Sequence, residues 1–320
     1  MIICGIETSC DETSVGFFDT VERKFFSCTS SQIDIHSLYG GVVPEIASRN
    51  HTLNIRNIFN EALKLGNIDV KDINLIGVTY SPGLIGALFV GVSFAKGISY
   101  GLNVPLIGIN HLMAHILSAE INNDIEPPYL GMVISGGHTH IFKVDSCYNF
   151  YLLAKTLDDA VGETFDKVAK YMGLPYPGGP EIERLAVSGN EMKINFPIAM
   201  KNEINFSFSG LKTNVINTIQ FKKYKLEDIA ASFQRVVVLT IADKINKAIK
   251  LTGIKDVVVS GGVACNGYIR DSLRNVVDGN IFFPTKKLCT DNGDMIAYAT
   301  YKLYRKKKFF GFGDTAVDSV

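Results

Sequence analysis

Ile2-Ile3-Cys4-Gly5-Ile6-Glu7-Thr8-Ser9-Cys10-Asp11-Glu12-Thr13-Ser14-Val15-Gly16-Phe17-Phe18 reads as an apolar run, a hydroxyl-rich acidic turn and a second apolar run. Tyr129-Leu130-Gly131-Met132-Val133-Ile134-Ser135-Gly136-Gly137-His138-Thr139-His140-Ile141-Phe142-Lys143-Val144 repeats that pattern. In each, two short strand-like stretches, residues 2–6 and 15–18 or 129–134 and 140–144, flank a polar turn, the signature of a β-hairpin. Two copies of one unit argue for an internal duplication. Outward from the hairpins the pattern changes to strand, loop and helix. Residues 73–80 read as a strand broken by Ser81-Pro82-Gly83 and followed by a small-residue helix over 84–100. Residues 256–260 read as another strand, leading through Gly261-Gly262-Val263-Ala264-Cys265-Asn266 into a helix that reaches Asn275. Helical periodicity also runs through 227–251 and 295–305. The expected architecture is α/β: two similar halves, each a mixed sheet flanked by helices. A polar, proline-bearing stretch at 124–128 is the expected boundary, giving lobes 1–125 and 126–320.

A chain of 320 residues that is 47% hydrophobic can fill two cores of ordinary size. Its 32 basic and 32 acidic side chains cancel, so any contact with nucleic acid must come from a local patch; the conspicuous basic run is Arg305-Lys306-Lys307-Lys308. The six cysteines contain no C-x-x-C pair, which suits a reducing compartment better than a disulfide framework. The N-terminus runs into an apolar strand without a basic leader, so a cytoplasmic location is expected. Residues 84–109 are apolar enough to suggest a membrane span, but Lys96, Asn103, Pro105 and five glycines interrupt them; a buried helix followed by a strand is expected instead.

His111 and His115 lie four apart in Asn110-His111-Leu112-Met113-Ala114-His115, so a helix would place both imidazoles on one face, able to share a metal ion. Hydrolytic H-E-x-x-H helices carry a glutamate after the first histidine; Leu112 stands there instead. The turns at Thr8-Ser9, Ser135-Gly136-Gly137-His138-Thr139 and Ser260-Gly261-Gly262 can offer backbone amides and hydroxyls to a phosphate, although each taken alone reads first as a structural turn. Together they point to a bound nucleotide, without a Walker or dinucleotide loop. Asp11 and Glu12 would repel a phosphate unless a cation intervenes; Asp11 can alternatively cap its turn. Asp166 can bind a sugar hydroxyl or pair with Lys167.

The chain resembles the TsaD family, the tRNA adenosine threonylcarbamoyltransferases once described as O-sialoglycoprotein endopeptidases. The resemblance rests on the segments at 5–14, 41–49, 110–115, 135–139, 162–167 and 176–180, and further on those at 208–213, 261–266 and 289–293. It implies an actin-like ATPase (ASKHA) fold and one divalent metal per chain, iron or zinc, held by His111, His115 and Asp291. Asp294 stands as a second carboxylate near Asp291, which is preferred for its place in the motif. Substrate contacts fall on Ile134, Ser135, Gly136, Gly137, His138, Asp166, Gly179, Glu183 and Asn266. The implied reaction moves a threonylcarbamoyl group from threonylcarbamoyl-AMP to adenosine in tRNA, with Asp11 as a candidate to position or deprotonate the amine. A TsaB-like paralogue and a TsaE-like ATPase are the implied partners, with no membrane. Competing readings are a zinc endopeptidase, a regulatory ATPase or sugar kinase, and a noncatalytic scaffold.

Overall fold

A computed structural model describes residues 1–306. The chain runs through β1 (Ile2–Glu7), β2 (Glu12–Asp19), β3 (Lys24–Ser31), α1 (Ile33–Ser37), α2 (Pro44–Gly66), β4 (Ile73–Ser81), α3 (Ile85–Leu102), β5 (Leu106–Asn110) and α4 (His111–Leu117). It continues with β6 (Tyr129–Ile134), β7 (Thr139–Val144), β8 (Phe150–Lys155), α5 (Val161–Tyr171), α6 (Gly178–Ala186), α7 (Ser209–Gln220) and α8 (Leu226–Thr252). Then follow β9 (Asp256–Ser260), α9 (Gly267–Val276), β10 (Asn280–Phe282), α10 (Lys286–Cys289) and α11 (Gly293–Arg305).

These elements form two compact units. The first comprises Met1–Asn122 together with the segment from Thr290 onward; the second is Asn123–Cys289. The first sheet has the order β3-β2-β1-β4-β5, and the second β10-β9-β6-β7-β8. Read from opposite ends, these are the same arrangement: an antiparallel meander of three strands extended by two parallel ones. The expected duplication is therefore present strand for strand. Register holds each hairpin tightly: Glu7 pairs with Ser14, and Ile134 with Thr139.

Within the first unit, β1 and β2 are buried along nearly their whole length because helices cover both faces. Helices α2 and α3 pack against β2, β3 and β4, while α11 packs against β1 and β2. The approach of α11 depends on missing side chains. A Cβ on Gly5 would meet the backbone of Ala297 and Gly293, and one on Gly16 would lie 2.5 Å from the Gly293 carbonyl carbon. The expectation that 126–320 form one lobe is corrected here: the last helix returns to the first unit because its face fits this groove of glycines. The apolar stretch after 84 forms a helix, α3, and then the strand β5, but only 33% of α3 is buried, so the expectation of a buried helix is corrected: α3 is long and apolar enough to cross a membrane and packs one face on β4 and α2.

In the second unit, Met132 and Ile134 of β6 join Phe165, Ile182, Phe233 and Ile269 from the helices in one core. Lys244 of α8 is fully buried and donates to the carbonyls of Met200 and Glu203, which anchors the long connection between α6 and α7.

Candidate metal centre

Strand β5 ends at Asn110, whose side-chain oxygen accepts from the amides of Leu112 and Met113 and starts α4 at His111. One turn later comes His115. The two rings lie 4.5 Å apart, nearly perpendicular, and both residues are buried. Asp291 arrives from the loop before α11, where Asn292 caps the helix by accepting from Met295 and the Gly293 amide donates to Ser14 of β2 at 2.8 Å. The Asp291 Oδ1 atom stands 3.0 Å from His115 Nε2 and 3.5 Å from His111 Nε2. One ligand atom from each residue lies within 4.8 Å of the others.

This donor set, two imidazole nitrogens and one carboxylate oxygen, fits a divalent iron or zinc ion. Geometry also separates the two candidate aspartates: Asp294 accepts from Ser27 on β3 at 2.9 Å and is not among the converging ligands.

Behind His111 stands Glu7, fully buried at the end of β1. It accepts from the Thr79 hydroxyl at 2.6 Å, from the Ser9 amide at 2.5 Å, and from His111 Nδ1 at 3.0 Å. Burial opposes charge on both groups. For His111 the negative charges of Asp291 and Glu7 outweigh burial and lift it to about 9, while for Glu7 the facing His111 outweighs burial and holds it low. Burial and then the His111 charge push His115 down. The sequence reading missed Glu7; the signal was an acidic residue closing an otherwise apolar strand.

Asp11 lies in the turn between β1 and β2, and Glu12 opens β2. Burial, then the charges of Asp291 and Asp11, push Glu12 well above the usual carboxylate range. That cause places the carboxylates of Asp11, Glu12 and Asp291 in one neighbourhood of the first unit.

The second unit holds the remaining residues. Ile134 is buried at the end of β6, and the Ser135 hydroxyl accepts from the His138 amide across the turn at 3.1 Å. Side chains at Gly136 and Gly137 would meet nothing within 4 Å, so core packing does not require glycine there. The amide of Gly162 on α5 donates to the Ser135 carbonyl at 3.1 Å, tying that helix to the turn. Asp166 accepts from the Gly178 amide at 2.7 Å, beside Gly179. Lys167, the alternative partner for Asp166, pairs instead with Asp159 and Glu163. Glu183 accepts from the Gly267 amide at 2.7 Å. Asn266 caps α9 through Ile269 and donates to Gln234 at 2.8 Å. Asp166, Glu183 and Asn266 thus all fasten helix starts. His140 lies on β7, paired with Val133 and outside the turn, as expected.

A model of the TsaD family, described as tRNA N6-adenosine threonylcarbamoyltransferase, matches residues 25–298. The tRNA N6-adenosine threonylcarbamoyltransferase of Thermosipho africanus is 50% identical over 316 residues, covering 96% of this chain and 95% of that one. Among solved structures, HypF of T. kodakarensis aligns with a TM-score of 0.67 at 18% identity, covering 96% of this chain and 48% of HypF, so this chain spans about half of HypF. The activator of the 2-hydroxyisocaproyl-CoA dehydratase from Clostridium difficile, solved with bound ADPNP, gives a TM-score of 0.59 at 16% identity over 96% of this chain and 97% of that one. These structural likenesses establish the actin-like ATPase fold. With a family match over most of its length and a half-identical relative spanning nearly all of it, the chain belongs to the TsaD family of tRNA N6-adenosine threonylcarbamoyltransferases.

Proposed function

We propose that this chain transfers the threonylcarbamoyl group from threonylcarbamoyl-AMP to the N6 amine of the adenosine beside the anticodon in tRNAs that read ANN codons. The new bond joins N6 to the carbamoyl carbon; the bond from that carbon to the phosphate oxygen breaks, AMP leaves, and N6 gives up a proton. The observation that carries the reading is the convergence of His111, His115 and Asp291 on one point, in a chain that this family matches over residues 25–298.

His111, His115 and Asp291 would hold one divalent ion, iron(II) or zinc. Bound there, the ion supplies Lewis-acid neutralisation of the phosphate charge that grows as AMP departs. The chain's own residues do the rest. Ser135, Gly136, Gly137 and His138 offer amides and a hydroxyl to the nucleotide, and the exposure of both glycines leaves their amides approachable. Asp166, Gly179, Glu183 and Asn266, set by the helix starts they fasten, line the nucleotide's position, and Ile134 supplies apolar backing. Asp11 takes the N6 proton or orients the amine.

The proteolytic alternative lacks the glutamate that follows the first histidine in hydrolytic helices. Leu112 is buried at the position a hydrolytic glutamate would take, and Glu7 is already held by three donors. A TsaB-like paralogue and a TsaE-like ATPase are the proposed partners in the cytoplasm. In support, α3 leaves Ile85, Phe89 and Tyr100 at least half exposed, a composition suited to a protein surface.

Mass spectrometry of tRNA nucleosides after incubation with threonylcarbamoyl-AMP and the proposed partners tests the reaction. Modified adenosine with the parent chain, and none with His111→Ala, is the expected result. Equal product from both would detach the metal centre from the chemistry, and no product from either would reject the transferase reading.

A further inference from the structure

We propose that Glu7 is a positioning residue of the metal centre: it fixes a proton on Nδ1 of His111 and thereby presents Nε2, as a lone-pair donor, toward Asp291 and His115. The inference rests on the reading of those three residues as a metal site and adds a fourth that touches no metal.

The argument starts from hydrogen-bond capacity. An ionised carboxylate can only accept. Oε1 of Glu7 receives the Ser9 amide at 2.5 Å, while Oε2 receives the Thr79 hydroxyl at 2.6 Å and faces His111 Nδ1 at 3.0 Å. Nδ1 therefore has to be the donor, and a ring whose Nε2 gives its lone pair to a metal has to keep its one proton there. The Ser9 hydroxyl also approaches Nδ1, at the longer distance of 3.3 Å, where it can share that proton as an acceptor. Glu7 closes β1, and Thr79 belongs to β4, the parallel neighbour of β1 in the sheet. The clamp on the imidazole is thus anchored in two paired strands rather than in a loop.

The direction of the ring follows. With Nδ1 held against the sheet, Nε2 is the nitrogen left to face Asp291 Oδ1, 3.5 Å away, beside His115 Nε2 at 3.0 Å from the same oxygen. A carboxylate on the far nitrogen fixes the tautomer of a ligating histidine and raises its basicity as a donor. No such clamp is seen on His115: its Nδ1 is buried with no hydrogen-bond partner among the described residues. The two imidazoles are consequently unequal: both face Asp291, and only His111 is also held from behind by a carboxylate.

Zinc binding to the full chain, measured by competition with a chromophoric chelator, tests the inference without recourse to catalysis. Glu7→Ala is expected to weaken zinc about 10- to 100-fold, and Glu7→Gln, which keeps an acceptor for Nδ1, to stay within about tenfold of the parent. Asp291→Ala is the control. If Asp291→Ala loses zinc while Glu7→Ala binds like the parent, the inference on Glu7 is wrong and the metal site stands. Parent-like binding by Asp291→Ala removes the metal site itself. Because Glu7→Ala also strands the Ser9 amide and Thr79 hydroxyl and can fail to fold, a second measurement uses the unaltered protein. Long-range proton–nitrogen NMR of the zinc-loaded parent should show the His111 proton on Nδ1; a proton on Nε2 would overturn the assignment.

Discussion

Asp11 and Cys265 carry the sharpest consequences at the scale of single residues. If Asp11 orients or deprotonates the N6 amine, Asp11→Asn lowers the transfer rate about 100-fold or more under single-turnover conditions with folding unchanged. A variant that transfers at the parent rate removes Asp11 from the reaction. Cys265 lies next to Asn266 and offers a pH test. The hydrogen bond with Cys289 comes first; burial opposes it, and the charges of Arg270 and Lys286 assist, bringing the Cys265 thiol down to about 7 from 9.0. A lowered value means the fold favours the thiolate. The associated stability is present above pH 9.0 and is lost as pH falls through about 7. Alkylation of the native chain by iodoacetamide, followed by peptide mass spectrometry, should show Cys265 reacting half-maximally near pH 7. A midpoint near 9.0 would contradict the environment described. The histidine pair was legible in sequence because two imidazoles at helical spacing declare a shared face, whereas Asp291 was named only through the family resemblance. Glu7 was not, since its role depends on Thr79 and His111, which reach it only through strand pairing and the return of the chain.

At the scale of elements, the two hairpins and helices α3, α8, α9 and α11 were readable from the period of their apolar residues. The first turn is tighter than the polar segment suggested, because Glu7 and Glu12 to Ser14 remain in the ladder while pointing into polar surroundings. Helix α2 escaped notice because its buried face, Ala47, His51, Ile55, Ile58, Phe59 and Ala62, includes a histidine that dilutes the apolar stripe. That histidine is held by Thr13 at 2.8 Å and the Cys10 carbonyl at 2.9 Å, so it serves the β1–β2 turn. The contact of α11 with the sheet yields a prediction of its own. Gly5→Ala drives a methyl group into the backbone of Ala297 and Gly293, where no flexible side chain can yield. Chemical denaturation is expected to show a loss of about 1–3 kcal/mol or more, the range for overpacking a close-fitted core. Gly136→Ala, with nothing within 4 Å of the added methyl, should leave stability within about 0.5 kcal/mol. Equal stability for both variants would contradict the close approach.

The whole molecule is organised by a duplication and by one departure from it. Local patterning identified two similar halves, since each strand advertises itself within a few residues. It could not assign the C-terminal helix, because membership of the first unit is decided by contacts between residues near 5 and 16 and those near 293. That return also brings Asp291 to the histidines of α4, so the correction to the domain plan and the assembly of the site are one event. Charge balance leaves tRNA binding to local patches; the run Arg305-Lys306-Lys307-Lys308 begins at the end of α11, and its last two lysines lie outside the described residues. Metal stoichiometry of the purified chain after loading and desalting, compared among the parent, Asp291→Ala and Asp294→Ala, is the most direct test of the centre. One ion per chain in the parent and in Asp294→Ala, with the ion lost from Asp291→Ala, is the expected result. Full retention in Asp291→Ala would contradict the assignment on which the proposed chemistry stands.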